Sequence, residues 1–388
     1  MSGLLIGDVF RNAARAVPQQ VAARHGDRSL TFVELDKESN GIAHTLLSSY
    51  GIGHGDRVAV WCGTTLDLVP LFAALAKIGA VFVPLASSLE FNELVDIVDL
   101  ARPQLLVVDG QHAVPAGMLD VPTIPIDLLI TDGTDTPITT VVAETDPLVI
   151  FFTSERTGQP NGVVLSHRVN YLRTHPGAQV EPRGALVCVY PLFHMAAWTL
   201  SLQQWQARDT VVYLDRLDGE SIAAAVRGHH ATRLNAAPAV WQRLLDHLGD
   251  HGRLPMLRFA DTGRSAAPPS LLAAISHSCP NATLRVFYGS TEAGGVASLV
   301  GDDVFLRNGS VGVPSIGTEV RLTDDGEICV RGPMLFDGYL NDLAATEAAI
   351  IDGWYHSGDA ATVDPDGYLY ITGRLLDIRR HHASEVDS

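Results

Sequence analysis

The sequence predicts an α/β fold in which doubly wound, mostly parallel strand layers are followed by a small β-rich lobe. Three observations carry this. Short, fully apolar runs alternate with helix-compatible segments along most of the chain, a rhythm that implies parallel strands covered on both faces. The 388 residues exceed the roughly 250–300 at which a single core stops growing, so two such layers are expected. From about residue 309 the texture changes to Gly, Pro and Asp punctuation between short alternating strands.

The opening MSGLLIGDVFRNAARAV has an apolar run too short for a secretory signal and then reads as an amphipathic helix. Helical patterns at 33–50 and 65–79 flank a strand at 58–62, and the helix 91–101 leads into a strand at 105–109. Residues 66–86 are apolar for long enough to raise a membrane span, but Asp67, Pro70, Lys77 and Pro84 interrupt them, so a buried helix running into a buried strand is expected. Residues 110–146, rich in Pro, Thr and Asp, link or edge the first lobe. Apolar strands follow at 148–152, 186–190, 210–214, 232–236 and 284–288, with helices at 220–228, 239–249 and 269–277. The final lobe places strands at 318–322, 327–331 and 368–372.

Composition narrows function. Hydrophobic residues make up 46% and charged residues 18%, so the chain folds rather than staying disordered. A formal net charge of −17 opposes nucleic acid and anionic membrane surfaces, and an anionic substrate must be met by local donors. Cys62, Cys188, Cys279 and Cys329 form no C-x-x-C pair, so neither a zinc cluster nor a disulfide framework is predicted, and reduced thiols in a cytoplasmic protein are expected.

The strand at 148–152 runs into Thr153-Ser154-Glu155-Arg156-Thr157-Gly158-Gln159-Pro160-Asn161-Gly162, a hydroxyl- and glycine-bearing loop of the kind that cradles phosphates. Alone, it reads equally as a surface turn. Asp359 alone reads as a turn residue, and His194, behind a strand, as structural. Met195 to Trp198 suit either an apolar pocket or an ordinary buried segment.

Taken together, the motifs resemble the adenylate-forming enzymes of the acyl-CoA synthetase type. The loop is similar to T-S-G-T-T-G-x-P-K-G, and Pro191-Leu192-Phe193-His194 to P-L-F-H. Tyr288-Gly289-Ser290-Thr291-Glu292 resembles Y-G-x-T-E, and 309–314 resembles G-S-V-G-x-P. Residues 326–333 resemble G-E-I-x-V-R-G-P, 353–359 resemble G-W-x-x-T-G-D, and 373–377 resemble G-R-x-K-D. The family order is kept along nearly the whole chain.

The resemblance implies two stacked doubly wound subdomains plus a small distorted β-barrel lobe, with residues 1–373 as the large N-terminal domain, the β-rich lobe at about 309–373, and 374–388 as hinge and start of a C-terminal domain. It implies ATP-dependent activation of a carboxylic acid as acyl adenylate, assisted by Mg2+, with CoA or a carrier protein as acceptor. Thr153, Ser154, Thr157 and Gly158 would face phosphates, and Gly263 the adenine and acyl pocket. Tyr288 offers an aromatic face to adenine, Gly289 close backbone approach, and Ser290 a place in the same motif. Thr291 would donate to the α-phosphate and Glu292 would ligate Mg2+. Asp359 matches a ribose diol, Arg374 ribose or phosphate oxygens, and His194 lies near the substrate carboxylate or acyl pocket.

There are departures. Glu155, Arg156 and Asn161 stand where the family has Gly, Thr and Lys, Arg264 and Ala197 add bulk where it keeps none, and Leu376 replaces a lysine. A carboxylate about 4 Å from a phosphate costs roughly 4 kcal/mol at an effective dielectric near 20, enough to compromise ATP binding if unscreened. Because the resemblance also places a catalytic cation in a C-terminal domain missing from this sequence, slow turnover by this chain alone is expected. The alternative function is a catalytically impaired relative that serves as an acyl- or nucleotide-binding module.

Overall fold

Residues 66–86 fold as the helix Leu68–Ile78, buried at all 11 of its residues, and the strand Val81–Leu85, buried at all 5. The computed structural model describes residues 3–129, 134–154, 160–175, 183–263 and 265–377. No helix among them is long and apolar enough to cross a membrane. The helix stops at Gly79, whose φ of 73° returns the chain into the strand. Its one cation, Lys77, is buried with its ammonium donating to Asp36 Oδ1 (2.6 Å), Ser39 Oγ (2.7 Å) and Asn40 Oδ1 (2.8 Å). Those partners lie on the helix Phe32–Ser49, which begins with a capping box between Thr31 and Glu34. A charge that argues against a membrane span thus ties the buried helix to Phe32–Ser49.

The chain divides into two units, the first running to Leu217 and including Phe336–Asp342, the second formed by Asp218–Leu335 and the residues from Leu343 onward. In the first, a sheet runs in the order Gly338–Tyr339, Pro160–Ser166, Pro147–Ser154, Val81–Leu85, Arg57–Trp61, Leu105–Val108, Thr123–Pro125. From Pro147–Ser154 to Thr123–Pro125 the neighbours are parallel, and the other edge is antiparallel. Leu186–Cys188, Val211–Tyr213 and Val21–His25 are likewise parallel neighbours, with Arg28–Thr31 turned back antiparallel. Around the buried helix gather Phe72, Phe82 and Trp198, whose rings approach within 4.4 to 5.3 Å of one another. Each such ring buries roughly 150–250 Å², so this cluster is a main source of the unit's stability. Trp198 and Ala197 therefore belong to the core, which answers the pocket-or-core alternative for these two residues.

In the second unit Arg233–Ala236, Phe259–Gly263 and Thr283–Ser290 are parallel, and Gly294–Val300 and Val313–Pro314 continue antiparallel. Asp261 and Arg285 are register partners on neighbouring strands, and the buried Asp261 carboxylate accepts from Arg285 Nε (2.6 Å) and from a terminal guanidinium nitrogen (2.7 Å). A slip of one residue would turn Arg285 to the face opposite Asp261 and break the pair, so this pair pins the strand that carries Tyr288. The predicted β-rich lobe is an antiparallel set, Glu319–Leu322, Glu327–Arg331, Trp354–Val363 and Ile350–Ile351, with Leu369–Arg374 also on Trp354–Val363. The α/β class is as the sequence predicts. The strands Val21–His25, Arg28–Thr31, Phe259–Gly263 and Gly294–Val300 add to those read from periodicity.

His167 opens the helix His167–Thr174 and is fully buried. Its Nδ1 accepts the N–H of Ile6 at 3.3 Å, an orphan donor of the first helix, and its Nε2 has no partner among the described residues. Burial pulls its pKa down to about 4, with Asp146 and Asp8 opposing. The unfolded imidazole takes its proton near 6.5, so the unfolded state binds more protons between pH 6.5 and 4, and stability falls as pH drops through that window. Wild type should lose on the order of 3 kcal/mol there relative to His167→Asn, measured as urea unfolding free energy at pH 7 and pH 4.5. Equal losses in the two proteins would show that His167 does not titrate on unfolding.

Candidate active site

The lobe of the second unit presents Asp359 on a break in its own ladder. Glu327 pairs with Ala360 and Cys329 with His356, so Ser357, Gly358 and Asp359 together face Ile328 alone. Extra residues of this kind bend a strand and re-aim a side chain. The freed backbone groups find partners. Gly358, at φ +72°, donates its N–H to Glu327 Oε1 (2.9 Å), Asp359 N donates to Ser357 Oγ (3.1 Å), and Ser357 O accepts from Arg374 (3.0 Å). The same Arg374 nitrogen donates to Asp359 Oδ1 at 3.0 Å, and Tyr288 Oη donates to Oδ2 at 2.7 Å. Arg374 and Asp359 are also register partners on neighbouring strands.

Each Asp359 oxygen thus accepts one bond and keeps acceptor capacity for another, as a ribose diol requires. Burial, and then the Asp359 charge, push the Tyr288 phenol well above its ordinary range, so it stays a donor. Three residues that the sequence singled out separately are one hydrogen-bonded group, and Tyr288 enters it through its hydroxyl.

Tyr288 and Gly289 close the strand Thr283–Ser290, at a register shift against Gly294–Val300. A Cβ on Gly289 would lie 2.1 Å from Gly294 O, so the sheet itself requires this glycine, whatever a ligand asks. A Cβ on Gly263 would likewise come 2.7 Å from Phe287 O. Ser290 Oγ accepts from Ala293 N at 3.0 Å and shapes the turn that holds Thr291 and Glu292, both half-buried.

In the first unit the predicted phosphate loop joins two antiparallel strands, Pro147–Ser154 and Pro160–Ser166, with Thr153 paired opposite Asn161. Thr153 Oγ1 reaches Asn161 O at 3.5 Å, a long contact. Glu155, Arg156, Thr157 and Gly158 lie outside the described residues, as does Arg264. His194 caps the helix Met195–Gln206, its Nδ1 accepting from Ala196 N at 3.0 Å, and its ring stacks at 5.9 Å on Tyr190. With Nδ1 an acceptor, the neutral ring carries its hydrogen on Nε2, the atom that would donate to a carboxylate.

Sequence reasoning missed Glu327 and Ser357. The G-E-I resemblance marked Glu327, but its chemistry is to hold the turn of another strand, and that pairing is invisible along the chain.

A model of the family described as AMP-binding enzyme matches residues 10–340. The chain is 32% identical over 398 aligned residues to a methyl-dioxo-octahydroindenyl-propanoyl:CoA ligase of Mycobacterium tuberculosis, covering 94% of this chain and 78% of the relative. It is 33% identical over 390 residues to a feruloyl-CoA synthase of Amycolatopsis, covering 94% and 77%. The inhibitor-bound crystal structure of the N-terminal domain of FACL13 from Mycobacterium tuberculosis is similar at a TM-score of 0.89 and 25% identity, covering 96% of this chain and 100% of that one. With its motifs in family order and a match over most of its length, the chain belongs to the AMP-binding enzyme family.

Proposed function

We propose that the protein activates a small-molecule carboxylic acid as its acyl adenylate, with ATP as co-substrate, and that CoA accepts the acyl group in a second step. A carboxylate oxygen attacks the α-phosphorus and the bond to the pyrophosphate oxygen breaks, so the protein's task is to hold the nucleotide, spread its charge and aim the acid. The observation that carries the reading is the Asp359 group, in which a bulge lifts a carboxylate from the sheet and Arg374 and Tyr288 orient it. In this reading Asp359 accepts from the ribose hydroxyls, Arg374 donates to ribose or phosphate oxygens and the Tyr288 ring lies against adenine. Thr291 donates to the α-phosphate, and the Nε2 of His194 faces the acid.

In this reading Glu292 supplies one carboxylate to a cation that takes most of its shell from phosphates and water. That cation is Mg2+, which screens the phosphate charge when bound. A carrier protein in place of CoA is consistent with the same half-reaction.

The second reading, a binding module without turnover, is favoured by Asn161, which stands opposite Thr153 at the mouth of the hairpin where the resemblance implies a lysine. Pyrophosphate exchange with a panel of carboxylic acids, beside calorimetric ATP binding, separates the two. Exchange supports the ligase, binding without exchange the module, and neither would remove both.

Asp359→Ala is expected to weaken AMP or ATP binding by roughly 10- to 100-fold, the net loss of about one charge-assisted bond at about 1.5–3 kcal/mol. Its melting temperature should move by only a few degrees, because the Arg374 partner is exposed and screened and what remains is one lost acceptor of the Tyr288 hydroxyl, about 1–3 kcal/mol. Unaltered affinity would take Asp359 out of the site. For the loop, Glu155→Gly with Asn161→Lys moves the local charge two units toward positive and should tighten ATP binding. An unchanged ATP affinity would place the loop away from the phosphates.

A further inference from the structure

Glu327, Cys329 and His356 bring a carboxylate oxygen, a thiol sulfur and an imidazole nitrogen within 4.8 Å of one another. Strand geometry explains the meeting. Glu327 and Cys329 are two apart on one strand and share a face, and His356 stands directly opposite Cys329 on the next. Cys329 Sγ lies 3.5 Å from His356 Nδ1, and that nitrogen lies 2.8 Å from Glu327 Oε2. His356 follows Cys329 by 27 residues, so no C-x-x-C spacing announces the group.

We propose that Glu327, Cys329 and His356 form a binding site for a zinc-class divalent cation, with water as the fourth ligand. Tetrahedral bonds of about 2.0–2.3 Å place a sulfur and a nitrogen donor about 3.6 Å apart and a nitrogen and an oxygen about 3.3 Å apart. The sulfur and nitrogen already stand at that separation. The nitrogen and oxygen, now sharing a hydrogen, need to open by about half an ångström as the metal replaces it. Thiolate and imidazole select zinc, cobalt or copper over magnesium, so this site and the proposed Mg2+ position at Glu292 differ in chemistry. Cys329 is fully buried, whereas the Glu327 and His356 side chains are 15% and 21% exposed, which leaves a side for entry and for the water. Glu327 divides its oxygens between two tasks. Oε1 holds Gly358 N, so Oε2 can turn to a cation without releasing the bulge.

The test is titration of the full, metal-free chain with Co2+ alone, followed by absorption. The expected result is a thiolate-to-cobalt charge-transfer band with tetrahedral d–d intensity, lost on adding Zn2+. Cys329→Ser should abolish the band, and His356→Gln and Glu327→Gln should each weaken Co2+ binding at least tenfold. No band with Co2+ in large excess overturns the proposal, as does a band that survives in Cys329→Ser. X-ray absorption at the zinc edge of the wild-type protein loaded with Zn2+ needs no variant to fold. One sulfur with nitrogen and oxygen neighbours is expected there, and a shell without sulfur overturns the site.

Discussion

The candidate site depends on a sheet that breaks its own register. Three residues of the strand Trp354–Val363 face Ile328 alone, and the middle one, Gly358, sits at φ +72°, where a side chain would be strained. Such a break forfeits ladder hydrogen bonds, and buried backbone groups left without partners cost about 1–3 kcal/mol each. Glu327 Oε1 takes one donor and Ser357 Oγ another, while Arg374 supplies the Ser357 carbonyl. The bulge persists because its backbone is satisfied by side chains from three neighbouring positions, and what it lifts out is Asp359.

Legibility in the sequence follows the range of the interaction. Alternating apolar strands and helices are local, so the parallel layers could be read from periodicity, and the helix 91–101 is found at Phe91–Ala101. The hairpin Val21–His25 and Arg28–Thr31 was missed because its strands are short and carry mixed polarity. Pro160–Gly162 is read as part of a loop, although Pro160–Ser166 pairs along the whole of Pro147–Ser154. Register was not legible at all. That Gly289 faces Gly294 O, that Tyr288 reaches Asp359 71 residues away, and that Glu327 serves Gly358 are facts of strand pairing. The motifs located the residues, but the roles of Glu327 and of the Tyr288 hydroxyl needed three dimensions.

Each unit buries a charge that several hydrogen bonds hold. In the first, the Lys77 ammonium has acceptors on Asp36, Ser39 and Asn40, and burial still pulls its pKa down to about 8. In the second, Asp261 is held by both forks of Arg285, whose guanidinium also stands 4.1 Å from the centre of the Phe259 ring. Buried pairs gain little net stability against apolar replacements, but breaking one strands a charge at about 3–5 kcal/mol. They act as locks on position. Lys77 sets the helix Leu68–Ile78 against Phe32–Ser49, and Arg285 sets the strand that ends in Tyr288.

In the proposed reading the Asp359 carboxylate lies beside a nucleotide, which looks out of place in a chain of net charge −17. The partners of Asp359 resolve this. A ribose diol is neutral and offers two donors, so it calls for a group with acceptor capacity on both oxygens, which an amide does not have. The repulsion that such a group would exert on phosphates would be offset by Arg374 at 3.0 Å, and its exposed guanidinium keeps further donors that in this reading face ligand oxygens. Tyr288 holds the second oxygen with a neutral donor, which fixes orientation without adding charge. The arrangement therefore keeps the hydrogen-bonding power of a carboxylate and pairs off much of its field, and it does so only because Arg374 stands in register with Asp359 across the strand pair.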